Sequence, residues 1–175
     1  MHRFIHIPKN GGSAVITWLQ QNNIEFLLGT PGKNVGKHKK AINWQNEPSI
    51  KFCIVRHPYT RTISYFNYIA STESWTSFEQ FVKNKWNPVV FKIPTAWDLQ
   101  SQWILDGQGC VLCEKIFHYE NIQAELSEYF GCNEPLPKIN QTNTQSVTMS
   151  ELTDQLKQII YNHHQQDFER FGYLP

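Results

Sequence analysis

The chain has no surplus of either charge. Across 175 residues, 16 Lys and Arg face 15 Asp and Glu. Nothing in the net charge therefore draws the molecule toward nucleic acid or an anionic membrane, and any anion site has to be local. Cysteine is scarce too: Cys53, Cys110, Cys113 and Cys132 are too few for a disulfide framework in a chain of this length. The Cys110-x-x-Cys113 spacing has no second pair to complete a zinc site and opens no helix as a redox motif does, so it reads as strand. No apolar run is long enough to span a bilayer, and charge begins within the first ten residues. The expectation is a cytoplasmic protein without a signal peptide or membrane span.

What is present suffices for a core. Hydrophobic residues make up 40% and aromatic residues 14%, which argues for a folded globular chain and against disorder. The length suits one domain over 1–175.

The most informative stretch is RFIHIPKNGGSAVITWLQ, Arg3 to Gln20. An apolar run (Phe4, Ile5, Ile7) breaks at Pro8, turns through Lys9, Asn10, Gly11 and Gly12, and reopens at Ser13 into helical spacing. Adjacent glycines allow a tight turn and close approach to a ligand, and Ser13 is placed to cap the helix. Amides at such a helix start, with the mobile ammonium of Lys9 beside them, suit a phosphate or a sulfate. The lysine precedes both glycines, unlike the loop of nucleotide triphosphatases, where it follows them. The alternative is an ordinary strand-to-helix turn with a solvated lysine.

A short strand over 24–28 leads to GTPGKNVGKHKK, a locally basic loop. Its lysines, Lys33 and Lys37 among them, read one by one as solvated. His38 stands apart because it opens the helical-looking HKKAINW. The second anchor is KFCIVRHPYTRTISYFNYIA. Phe52 to Val55 form the continuous apolar run of a strand buried on both faces, ended by Arg56. Pro58 then fits the first turn of a helix that carries Arg61 and Ser64. A guanidinium and a hydroxyl at one strand end suit a phosphate.

Farther along, 77–84 reads as a short helix. The aromatic segment from Glu73 to Asp98 carries Trp75, Trp86 and Trp97, taken as packing residues more readily than as sugar platforms. Asp106-Gly107 marks a turn, and Glu120 to Phe130 reads as an amphipathic helix ended by Gly131. A long final helix follows, with Ser150 as its cap and Leu156, Ile160 and Phe168 on its inner face. His163 and His164 are adjacent and cannot share a helix face, so they read as surface residues. Strands alternating with helices imply a mostly parallel α/β sheet with ligand loops at its C-terminal edge.

Two motifs carry a resemblance. PK-x-GG-S resembles the 5′-phosphosulfate loop, and Arg56-x-Pro58-x-x-Arg61-x-x-Ser64 the 3′-phosphate motif, of sulfotransferases that use 3′-phosphoadenosine 5′-phosphosulfate (PAPS). Gln102, Asp106 and Gly107, then Tyr119-Glu120-Asn121, and the close from Asp167 to Tyr173 resemble the branch that sulfates carbohydrates. The resemblance implies a three-layer α/β fold with a mostly parallel central sheet, P-loop nucleotide-hydrolase-like. It implies that Lys9 acts on the leaving 5′-phosphate with Asn10, Gly11, Gly12, Ser13 and Ala14 around it. Arg56 and Ser64 would hold the 3′-phosphate, and Lys138 and Asn140 are secondary candidates on that side. His38 matches the family's catalytic base by position, with Glu47 or Glu73 as alternatives; Arg61 and Tyr65 read as packing and His6 as buried structure. The expected reaction moves a sulfuryl group from PAPS to a hydroxyl on a glycan or small molecule, leaving adenosine 3′,5′-bisphosphate and needing no metal. The alternatives are an ATP-dependent P-loop-like kinase and a non-catalytic nucleotide- or anion-binding module. At this length the acceptor side is expected to be open or completed by a partner.

Overall fold

A computed structural model describes residues 1–29, 38–70, 77–84, 98–139 and 147–175. Lys33, Lys37, Glu73, Trp75, Trp86, Trp97 and Asn140 lie outside the described residues. The elements in order are β1 (His2–Ile5), α1 (Gly12–Gln21), β2 (Phe26–Leu27), β3 (Ile50–Val55), α2 (Pro58–Ile69), α3 (Phe78–Asn84), α4 (Ser101–Ile104), β4 (Lys115–His118), α5 (Ile122–Phe130) and α6 (Asp154–Phe171). The four strands form one all-parallel sheet in the order β2-β1-β3-β4, the α/β class that alternating strands and helices predict.

Contacts divide the chain into two compact units: Met1–Arg56 with Gln100–Ile139, and His57–Leu99 with Asn140–Pro175. The first contains the whole sheet. Alternation along β1 and β3 sends Phe4, Phe52 and Ile54 to one face, where they pack with Val15, Trp18 and Leu19 of α1, Phe117 of β4 and Leu126 of α5. Ile5, Cys53 and Val55 point to the opposite face and are equally enclosed, as a central parallel sheet requires. β1 lies between β2 and β3 in register with both (Arg3 opposite Leu27, Phe4 opposite Phe52). The chain thus leaves β1 toward β2 and returns on its other side as β3. The C-terminal ends of β1 and β3 therefore flank the point where strand order reverses, the usual place for a ligand in such sheets.

The second unit is helical. Tyr59, Ile63, Phe66 and Ile69 of α2 pack with Phe78, Phe81 and Val82 of α3 and with Leu156, Ile160 and Phe168 of α6. Burying the apolar face of three helices against one another replaces the sheet as the source of a core. Tyr65 is buried here, and so is Arg61, which donates to the Asp98 carbonyl at 3.0 Å. Both are enclosed within this unit.

Four local readings are corrected. Ser13 does not cap α1: Gly11 does, in the left-handed region with φ 75, and Ser13 is already inside the first turn. The cap position here demands a positive φ, which glycine adopts without strain. Ser150 does not cap the last helix either. Thr148 and Glu151 close a separate one-turn 3-10 helix over Met149–Glu151, the Thr153 side chain accepts from the Leu156 amide, and α6 starts only at Asp154. Cys110 and Cys113 both precede β4: Cys110 closes a turn organised by Asp106, whose carboxylate accepts from the Gln108 and Cys110 amides at 2.8 Å, and Cys113 is buried beyond it. Finally, His164 is buried: only His163 turns outward, and His164 Nδ1 lies 3.6 Å from the enclosed Asp167 carboxylate. Helical rotation forces adjacent residues apart, and α6 kinks at His164 (φ −100, ψ 15).

The four cysteines are free thiols. Among the described residues no helix is long and apolar enough to cross a membrane.

Candidate active site

The chain leaves β1 through a turn built from two left-handed residues, Lys9 (φ 70) and Gly11 (φ 75). A lysine in that region costs about 1–2 kcal/mol, so the turn persists because its surroundings hold it. The holding residue is Asn10, 1% exposed, whose Nδ2 donates to the Ile54 carbonyl at 2.6 Å and to Gln100 Oε1 at 2.7 Å. The loop is thereby pinned to the end of β3.

Its far side is fitted to two rings. A Cβ on Gly11 would stand 2.7 Å from Cε2 of Tyr119, and one on Gly12 would overlap the His6 ring. Both glycines are therefore required by close approach as well as by turn geometry. The first bond inside α1 runs from the Val15 amide to the Gly11 carbonyl at 3.2 Å. The amides of Gly12, Ser13 and Ala14 lie ahead of it, have no carbonyl one turn earlier, and form the positive end of the helix. No side chain caps this end.

Arg56 ends β3 beside this loop. Its Nη1 donates to the Lys9 carbonyl at 3.2 Å, and its guanidinium carbon lies 4.1 Å from the centroid of the Tyr119 ring. Stacking takes one face of the guanidinium and leaves its N–H groups directed in the plane. Burial first, and then the Arg56 charge, push the Lys9 ammonium down to about 8. Two cations are thus held together at the opening of α1, an arrangement matched to a dense anion.

His38 stands at the same edge. Its Nδ1 lies 3.1 Å from the His6 carbonyl, its ring centroid is 4.4 Å from that of His6, and the Trp103 ring stands nearly perpendicular to it with the centroids 6.4 Å apart. A carbonyl only accepts, so Nδ1 carries the proton and the lone pair of neutral His38 is on Nε2. That is the tautomer a general base needs. His6 itself is buried and stacked on Phe4. Glu47 is committed elsewhere. It pairs with the buried Arg3 through both carboxylate oxygens, and this bond chiefly holds its carboxyl below the usual range.

The first unit thus brings together Lys9, Asn10, Gly11, Gly12, Ser13, Ala14, Arg56 and His38. Lys138 belongs to the same unit and is exposed after α5. Ser64 is half-buried on α2 in the second unit. Two residues are added by the structure. Gln100 is completely buried just ahead of α4 and pairs with the Arg56 backbone. Tyr119 is the ring against Gly11 and Arg56. For Tyr119 the available signal was its place at the strand end in the YEN run; for Gln100 it was the spacing Gln100-x-x-x-Ile104-x-Asp106-Gly107, which the reading of Gln102 passed over. Among the described residues no group of three His, Cys, Asp or Glu could hold a metal ion.

No curated protein and no solved structure matches the chain. The family described as "Sulfotransferase family" matches residues 4–174, from β1 through the end of α6. That match covers nearly the whole chain, including the glycine loop, Arg56 and His38, so the protein belongs to the sulfotransferase family and its chemistry is sulfuryl transfer.

Proposed function

We propose that the donor is PAPS and that the acceptor is a hydroxyl group, on a carbohydrate by resemblance to the carbohydrate branch. The observation that supports this reading most is the pair of cations, Lys9 and Arg56, held at the uncapped start of α1. A donor with phosphate at both ends of a ribose offers each cation its own anion. In this reading Lys9 and the amides of Gly12, Ser13 and Ala14 face the 5′-phosphosulfate, with Asn10 and Gly11 shaping the loop. Arg56 takes the 3′-phosphate. Ser64, Lys138 and Asn140 enter on sequence motif and position alone.

The acceptor oxygen attacks sulfur in line, forming one S–O bond while the S–O bond to the 5′-phosphate breaks. Negative charge grows on the departing phosphate, where the Lys9 ammonium and the helix amides oppose it. The hydroxyl proton passes to Nε2 of His38, whose tautomer the His6 carbonyl sets. The leaving product is adenosine 3′,5′-bisphosphate. No residue in this scheme has a covalent role; the chain contributes position and charge. The family match runs through both compact units, and we read 1–175 as one catalytic domain on that ground.

The test is thermal stability with adenosine 3′,5′-bisphosphate and, in parallel, with ATP plus magnesium. A ligand of the native state raises Tm by mass action. The expected result is stabilisation by the bisphosphate that Arg56→Ala removes. Stabilisation by ATP with magnesium alone would overturn the donor assignment in favour of a kinase. Turnover of PAPS against a panel of glycans and small hydroxyl compounds then tests the acceptor class.

A further inference from the structure

Gln100 makes three hydrogen bonds with one buried amide. Its Oε1 accepts from the Arg56 amide at 2.8 Å and from Asn10 Nδ2 at 2.7 Å, while its Nε2 donates to the Arg56 carbonyl at 2.8 Å. The orientation is fixed by its partners, because a flipped amide would set donor against donor twice and acceptor against acceptor once. The ladder between β3 and β4 ends at Val55, opposite His118. Arg56 is therefore one residue past the sheet, and Gln100 gives its N–H and C=O the paired contact that another strand would give. Burial of Trp103 and Ile104 in α4 anchors Gln100 from behind.

We propose that Gln100 is the positioning residue that sets selectivity for the 3′-phosphate of the donor, acting through Arg56. The proposal rests on the donor reading above. Fixing both polar groups of the Arg56 backbone fixes the direction in which its side chain leaves the strand, toward Tyr119 and the Lys9 carbonyl. The bond to Asn10 links that arrangement to the glycine loop. Gln100 touches no reacting atom in this scheme. Removing its amide would leave the Lys9 loop still held through the Ile54 carbonyl, while Arg56 would lose both backbone partners. The 3′-phosphate contact should therefore suffer more than the 5′-phosphate contact.

The measurement is the affinity ratio between adenosine 3′,5′-bisphosphate and adenosine 5′-monophosphate, in wild-type protein and in Q100M. The ratio isolates what the 3′-phosphate adds. Leaving a buried donor and acceptor unsatisfied costs enough that the ratio is expected to fall about tenfold in Q100M, with monophosphate affinity within about threefold of wild type. An equal loss for both nucleotides would mark a merely structural residue and overturn the proposal. A wild-type ratio near one would remove the donor reading itself, and the proposal with it. Should Q100M fail to fold, Q100E is the second variant: one carboxyl oxygen still accepts from the Arg56 and Asn10 N–H groups while the other stands where the amide donated to the Arg56 carbonyl, so its ratio is again expected to fall. Failure of both variants to fold would assign Gln100 to the core and overturn the positioning role.

Discussion

Two strand ends in this protein feed helices, and they treat those helices differently. After β1 the chain turns through left-handed Lys9 and Gly11 and enters α1 with no side chain on the exposed amides. After β3 it passes Arg56 and enters α2 through His57 and Pro58, and α2 is closed by its own residues. The His57 Nδ1 accepts from the Tyr59 amide at 3.2 Å, Pro58 has no amide to satisfy, and the Thr60 hydroxyl donates to the His57 carbonyl. A helix start that satisfies its own amides has little left for an anion. The junction after β1 can therefore bind through backbone and dipole, whereas the one after β3 contributes through the Arg56 guanidinium. Equivalent topology does not make equivalent sites; the cap decides.

The sharpest way to break this comparison is to remove the charge at the open junction. Lys9→Ala is expected to lower sulfuryl transfer from PAPS by about a thousandfold, the upper range for deleting one stabilising donor at a developing charge. Burial disfavours the Lys9 charge in the folded protein, so Tm at neutral pH should not fall below wild type. Turnover at wild-type rate with Lys9→Ala would make the open helix start incidental to the chemistry.

The complementary change is at the closed junction. His57→Ala removes the acceptor for the Tyr59 amide and the ring between Tyr59, Phe168 and Tyr173. It also removes the bond from Nε2 to the Leu174 carbonyl at 3.0 Å. Loss of a cap of this kind costs about 1–2 kcal/mol. In a chain of this size that is a fall in Tm of roughly 2–8 °C. Bisphosphate affinity should hardly move. A large loss of affinity with unchanged Tm would mean that His57 binds the nucleotide rather than capping the helix.

Both junctions were legible from the chain because local rules write them. Gly11-Gly12 and Pro58 constrain their own backbones, and the apolar run Phe52 to Val55 announces a buried strand. What tied the junctions together was not legible. Asn10 and Gln100 meet across 90 residues of sequence, and Gln100 reaches Arg56 across 44; no propensity or spacing encodes such a contact. The errors have the same origin. Ser13 is the better cap by residue type, yet the position needs a positive φ that only the tertiary fit of the loop imposes. His164 looked like half of an exposed pair, and the rotation of α6 put it against Asp167.

The remaining test separates the two junctions by pH. Burial and the Arg56 charge lower Lys9 from 10.5 to about 8 in the folded protein, so the fold disfavours its charged form. Below about pH 8 Lys9 is protonated in both states and the full penalty applies. Between there and about 10.5 the unfolded chain still holds the proton that the native state has released, so stability rises with pH. Other lysines, tyrosines and thiols titrate in the same range, and subtracting the profile of Lys9→Met isolates the contribution. Adenosine 3′,5′-bisphosphate should reverse the trend. An anion beside Lys9 favours the ammonium and raises its pKa, so affinity should weaken as pH climbs through about 8. In Lys9→Met that weakening should be absent. A flat difference profile from neutral pH to about 10 would mean that the Lys9 ammonium is well solvated, and that the open junction does not hold the two cations under mutual strain.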